Sequence, residues 1–201
     1  MAGVTYHLRD RGGELTAAWQ RHFGGVSDVV PATGDIFGVA VNAVVSPANC
    51  FGFMNGGIDR VYSERFGWHI QDQLREIIRR DWDGELPIGL ALVMETGSAD
   101  VPFLVVAPTL RAPVSVAQTL NAYLSFRAVL RAVRKHNERR PGSISSVACP
   151  GMGTGTGEMP VGICARQMRA AWDEVEGGHP FEPTGVNDAL VQHYRLLRDE
   201  E

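Results

Sequence analysis

The chain has 201 residues, 44% of them apolar and 21% charged, with a formal net charge of −4. That length can bury a core without disulfides or a structural metal, so a single domain is expected, and the acidic balance excludes a basic footprint for nucleic acid. Three cysteines without metal-ligand spacing, and no segment with leader or bilayer-spanning character, predict reduced thiols in the cytoplasm, no metal and no membrane contact.

Strand and helix patterns alternate along the chain. VTYHL at 4–8 predicts a strand, GELTAAWQRHF at 13–23 a short helix, and 26–36 a strand leaving through Gly34 and Asp35. VAVNAVVSP at 39–47 is a continuous apolar run, as in a strand buried on both faces. A short helix is expected over 59–66 and another over 67–80, then strands at 88–94 and 103–107. The helix predicted over 115–136 places Leu120, Tyr123, Phe126, Leu130 and Val133 on one stripe. Arg127, Arg131, Arg134 and Glu138 fall on a polar side that is expected to be solvated. A buried strand at 144–150, a helix starting at Pro160 and a last helix near 186–198 complete the chain. The alternation gives an α/β class, in which ligands sit beyond the carboxyl ends of the strands.

Two glycine-rich loops leave from such ends. GMGTGTGE at 151–158 lies between a strand and a helix, where backbone N–H groups and a helix N-terminus suit an anion; a plain tight turn is the alternative. No Gly-Lys-Ser/Thr follows, so it is not a Walker A loop. The other loop, SPANCFGFMNGGID at 46–59, adds side chains to a similar cradle. Asn49 offers a donor and an acceptor to a sugar hydroxyl, or else closes an Asx turn. Asp59 accepts from a ribose hydroxyl or orients a water, or else caps the helix that follows. Cys50 has no obvious base beside it, and the scattered histidines form no metal-like pair.

GDI at 34–36, NAVVSPAN at 42–49, GGID at 56–59 and PGMGTGTGEMP at 150–160, in this order, resemble a macro domain. Asn49 and Asp59 keep that family's ten-residue interval, and the similarity runs over about 26–176, with the N-terminal strand and helix and the C-terminal helix as elaborations. The resemblance implies a three-layer α/β/α sandwich with a mixed central sheet and a site for ADP-ribose, without a cofactor. Asp35 would accept from the adenine amino group and the Ile36 backbone would hold the ring edge. Gly56, Gly57 and Ile58 would line one side of the diphosphate, and Gly153, Thr154, Gly155, Thr156 and Gly157 the other. Asn49 would bind the distal ribose, and Asp59 would position a water at its C1″.

The implied activity is hydrolysis of the ester between ADP-ribose and Asp or Glu side chains of proteins, or of O-acetyl-ADP-ribose; a non-catalytic ADP-ribose reader is the alternative. Three departures from the family pattern stand out. Gly157 occupies the place of an aromatic that packs on the distal ribose, which leaves Phe51 or Phe53 to fill that space. Phe181 is the candidate to stack on adenine. Asn55 replaces a glycine ahead of Gly56 and Gly57.

Overall fold

The computed structural model describes residues 3–198. In chain order its elements are β1 (Thr5–Asp10), α1 (Gly13–Phe23), β2 (Val29–Thr33), β3 (Ala43–Ser46), α2 (Gly57–Phe66) and α3 (His69–Asp81). They continue with β4 (Leu92–Glu95), β5 (Phe103–Val106), α4 (Asn121–Arg139), β6 (Ser146–Cys149), α5 (Val161–Val175) and α6 (Val186–Leu196). The strands form one sheet in the order β2-β1-β6-β3-β5-β4, parallel throughout except for the antiparallel β4–β5 pair.

Alternate residues of the buried strands supply two cores, one on each face of the sheet. Ala43 and Val45 of β3 pack with Trp19 of α1, Phe126 and Leu130 of α4, and Met168 and Trp172 of α5. Val44 points to the other face, with Tyr62 of α2 and Ile70, Leu74 and Ile78 of α3. Helices on both faces of a mixed sheet make the three-layer α/β/α sandwich. β1 lies between β2 and β6, so the strand expected as an N-terminal elaboration is an interior member of the sheet.

Several expected elements are shorter, for identifiable reasons. The strand predicted from 39 begins only at Ala43, because the Asn42 carboxamide accepts from Ser145 N and Ser146 N (2.9 and 3.1 Å) and ties the chain to the start of β6. β4 starts at Leu92 because Gly89 turns the backbone at φ +91°. α4 starts at Asn121 because 116–119 forms a turn closed by Thr119 Oγ1 on Val116 O (2.7 Å). The arginine side of α4 is not wholly solvated. Arg127 pairs with the buried carboxylate of Glu174 on α5, and Arg134 donates to Val175 O.

Candidate functional site

β1, β3 and β6 run parallel as neighbours, so the segments leaving their C-terminal ends meet at one edge of the sheet. There they enclose a cavity of about 430 Å³. The twelve residues that the resemblance assigns to ligand binding or catalysis line it: Asp35 and Ile36, Asn49, Gly56, Gly57, Ile58 and Asp59, and Gly153, Thr154, Gly155, Thr156 and Gly157.

Asp59 sits in the first turn of α2 but caps nothing, since the N-cap is Gly56 and no side chain caps the helix. Its carboxyl is buried, and Oδ1 accepts from Ser46 Oγ at 2.6 Å. Burial pushes this carboxyl up to about 7, and the Ser46 hydrogen bond only partly opposes that rise. Around it the loop is strapped down. Ser63 Oγ donates to Met54 O (2.9 Å), and Gln71 Oε1 accepts from Met54 N (2.9 Å). Ser46 was not singled out in the sequence, although a lone polar residue closing an apolar strand just before proline was the available signal.

Asn49 does close an Asx turn. Its Oδ1 accepts from Phe51 N and Phe53 N (3.1 and 3.2 Å), and its Nδ2 donates to Phe53 O (2.8 Å). One amide N–H remains to face the cavity. Asp35 is also engaged: Oδ2 accepts from Arg11 Nη2 at 2.6 Å and Oδ1 from Phe37 N at 2.9 Å. The Arg11 hydrogen bond, then that of Phe37, holds the Asp35 carboxyl below its ordinary range.

The glycines divide by surroundings. A Cβ on Gly56, Gly57 or Gly155 would meet nothing within 4 Å, and Gly57 has φ +53°, so these positions give open backbone at the cavity. Gly157 is different. A Cβ there would come within 2.6 Å of Gly153 O and 2.7 Å of Val116 Cγ2, with Leu110 Cδ2 at 3.1 Å. Val116 N also donates to Gly157 O at 2.7 Å. The place of the omitted aromatic is therefore no gap; the 110–116 segment fills it.

The Macro domain family model matches residues 45–168, more than half of the chain. The chain belongs to the Macro domain family. An uncharacterised protein of Aquifex aeolicus is 30% identical over 164 residues, covering 82% of this chain and 88% of the relative. One of Aeropyrum pernix is 31% identical over 147 residues, covering 73% and 71%. Its relatives therefore include bacterial and archaeal proteins.

Among solved structures, the macrodomain of Mycobacterium tuberculosis DarG superimposes with TM-score 0.58 at 24% identity, over 71% of this chain and 88% of that one. The Oceanobacillus iheyensis macrodomain with ADP gives 0.57 at 21% identity, over 69% and 70%. Both share the fold.

In this macro domain the three candidate aromatics divide: one lines the cavity and two do not. Phe53 lines the cavity rim, under the Arg75 guanidinium 4.4 Å from its ring, but Phe51 does not; it sits beneath Arg111, at 5.1 Å. Phe181 lines a separate cavity between α1, α5 and α6, with His179 and Arg195, and so does not reach the site. The tail folds back on α5 instead of crossing the sheet edge. Cys50 is buried, and burial pushes its thiol up, which disfavours the thiolate. Arg9 and Arg11 line the cavity from β1 and the turn after it, outside the segment that the family model matches. Their flanking of Asp10 at the end of an apolar-alternating strand is the signal they carry in sequence. No group of three or more His, Cys, Asp or Glu side chains suited to a metal occurs among the described residues, and no described helix is long and apolar enough to cross a membrane.

Proposed function

We propose that this macro domain binds ADP-ribose and hydrolyses the ester that links it to Asp or Glu side chains, or to acetate in O-acetyl-ADP-ribose, reversing mono-ADP-ribosylation in the cytoplasm. The observation that carries this reading is a buried carboxyl near pKa 7, Asp59, on a cavity walled by open glycine backbone. In this reading adenine lies at Asp35 and Ile36. The diphosphate lies between Gly56–Ile58 and Gly153–Gly157, where N–H groups and the N-terminus of α2 stabilise negative charge. The distal ribose then lies at Asn49 and Asp59.

Hydrolysis of the side-chain ester needs a water held at C1″; for O-acetyl-ADP-ribose the same water would instead attack the acetyl carbon, releasing acetate and the free ribose hydroxyl. Ser46 fixes Oδ1 of Asp59, leaving Oδ2 to accept the water's proton. The water oxygen bonds to C1″, the C1″–O ester bond breaks, and the protein side chain leaves as a carboxylate. Positioning lowers the barrier through effective concentration, and proton transfer to a group with pKa near the working pH typically adds about 10²–10⁴-fold.

One observation favours a second reading, a reader that binds without cleaving: the Asn49 carboxamide is mostly engaged by its own loop. The two separate in one assay. A protein mono-ADP-ribosylated on glutamate is incubated with the domain, and the expected result is release of the label by wild type and not by Asp59→Ala. Retention of label with undiminished ADP-ribose binding supports the reader; no calorimetric heat with ADP-ribose removes both.

A further inference from the structure

Arg9 is the cation on the cavity that lacks a counter-ion. It lies near the C-terminal end of β1, in register with Ala32 of β2, one residue beyond the Leu8–Cys149 pairing with β6. Its neighbour Leu8 points into the core, so Arg9 faces the opposite side of the sheet. Its Nη1 lies 3.9 Å from where a Cβ on Gly34 would sit, and its Nε is buried with no hydrogen-bond partner. The acids nearby are engaged elsewhere: Asp10 Oδ2 accepts from Gly12 N at 2.7 Å, and Asp35 holds Arg11. Among the described residues Arg9 forms no ion pair. Arg9 lines the cavity, and without a counter-ion its guanidinium stays available to a ligand there, while the buried, unpaired Nε–H adds a cost that a charged partner at the guanidinium would help offset.

The position narrows the ligand. Resting on the ADP-ribose reading above, adenine lies at Asp35–Ile36 and the diphosphate at the loop that starts with Pro150 and Gly151. Arg9 stands between the exits of β2 and β6, which is the place of the adenosine ribose. Neither adenine nor an unmodified ribose carries a charge there. A guanidinium fork matches phosphate by paired, charge-assisted hydrogen bonds.

We infer that Arg9 forms a subsite for a phosphate monoester on the adenosine ribose, so that the cleft takes ADP-ribose phosphorylated at the 2′ or 3′ hydroxyl in preference to plain ADP-ribose. This subsite is supplied by the N-terminal strand, outside the family-matched segment.

The test is calorimetry with four probes: ADP-ribose, 5′-AMP, adenosine 2′,5′-bisphosphate and adenosine 3′,5′-bisphosphate. At about 50 mM salt at least one bisphosphate is expected to bind about tenfold or more tighter than AMP, with the preference shrinking as salt rises. Which isomer gains tells which hydroxyl carries the phosphate. Arg9→Met is expected to bring the bisphosphate-to-AMP affinity ratio to within about twofold of one. Arg11→Met, which removes a paired charge, retains most of the preference.

Equal binding of AMP and both bisphosphates overturns the inference while ADP-ribose binding stands. So does a preference that survives Arg9→Met, or a loss of affinity in that variant equal for all probes, which would put Arg9 on the diphosphate. A bisphosphate that binds through Arg9 when ADP-ribose gives no heat removes the ADP-ribose reading and keeps the phosphate subsite. No heat with any probe overturns both. The wild-type probe and salt series needs no variant, so the inference stays testable if Arg9→Met does not fold.

Discussion

The two glycine loops of this macro domain look alike in sequence and differ in what their glycines are for. In the first loop Gly56 and Gly57 face open space, so a side chain at Gly56 would meet no packed atom, whereas at Gly57 the φ of +53° keeps the backbone to glycine. In the second loop Gly151 and Gly157 face packed atoms. A Cβ on Gly151 would overlap the Thr154 side chain and come within 2.6 Å of Leu15 Cδ2, and one on Gly157 would press on Gly153 O and Val116. The first loop packs Gly52 against Leu74 and Ile78 but leaves its backbone open at Gly56 and Gly57, next to Asp59; the second is open at Gly155 and compact at Gly151 and Gly157, where the core and the 110–116 segment close on it. Glycine in such a loop thus has two physical causes, and only the three-dimensional neighbours tell them apart.

The largest expected effect breaks the chemistry of the first loop. Asp59→Asn should lower hydrolysis by about 10²–10⁴-fold while ADP-ribose affinity changes only severalfold, measured by label release and calorimetry. The same variant should be more stable at alkaline pH. The folded carboxyl, near 7, exceeds its ordinary value of 3.8, so between those values the folded chain holds a proton that the unfolded chain has lost. Stability therefore falls as pH rises from about 4 to about 7 and is level above, by at most about 4 kcal/mol. Asparagine has no such titration, and the gap in melting temperature between Asp59→Asn and wild type should open over that window. A gap that stays constant from pH 4 to 8 would show that Asp59 is not buried as a titrating acid. Activity of the wild type should rise through pH 7 as the base ionises, read from kcat/KM of the free enzyme.

The glycine contrast itself is tested by a pair of variants. Gly157→Ala should cost about 1–3 kcal/mol, because the neighbours are backbone and packed methyl groups that must shift. Gly56→Val, at φ −141°, a conformation open to any residue, should cost only what a poorer N-cap costs, about 1 kcal/mol or less, yet weaken ADP-ribose about tenfold by filling the cavity. Stability loss at Gly56 with none at Gly157 would reverse the assignment of the two loops.

How much of this was legible beforehand follows the range of the interactions. The alternation of strands and helices and the twelve residues picked at the strand ends and in the two loops are local patterns, and those residues line one cavity. The partners that set the chemistry are not local. Ser46 meets Asp59 only because a strand end faces the first turn of the next helix, and Arg11 reaches Asp35 only because β1 lies beside β2. Val116 fills the space at Gly157 from a segment that, in sequence, looked like the start of a helix. Phe181 went astray for a similar reason: an aromatic in an irregular tail has no period to show which face it joins. Asn49 shows the limit of residue type alone, since one carboxamide serves a turn and a sugar equally well until its hydrogen bonds are known.

The smallest expected effect concerns the Arg11–Asp35 pair, at the end of the cavity where we propose that adenine lies. Both side chains are well exposed, at 75% and 44%, so the pair contributes about 0–1 kcal/mol and Arg11→Ala should barely change the melting temperature. Its visible effect is on the acid. Asp35 owes its lowered pKa first to the Arg11 hydrogen bond, so its carboxyl should titrate at higher pH in Arg11→Ala, followed by carbon-detected NMR. Removing Arg11 also frees Oδ2, the oxygen that an adenine amino group would otherwise have to share. ADP-ribose affinity should therefore hold or improve slightly, by about twofold, in the variant. An unmoved Asp35 titration would mean that the pair does not form in solution, and a sharp loss of affinity would make Arg11 a ligand contact in its own right.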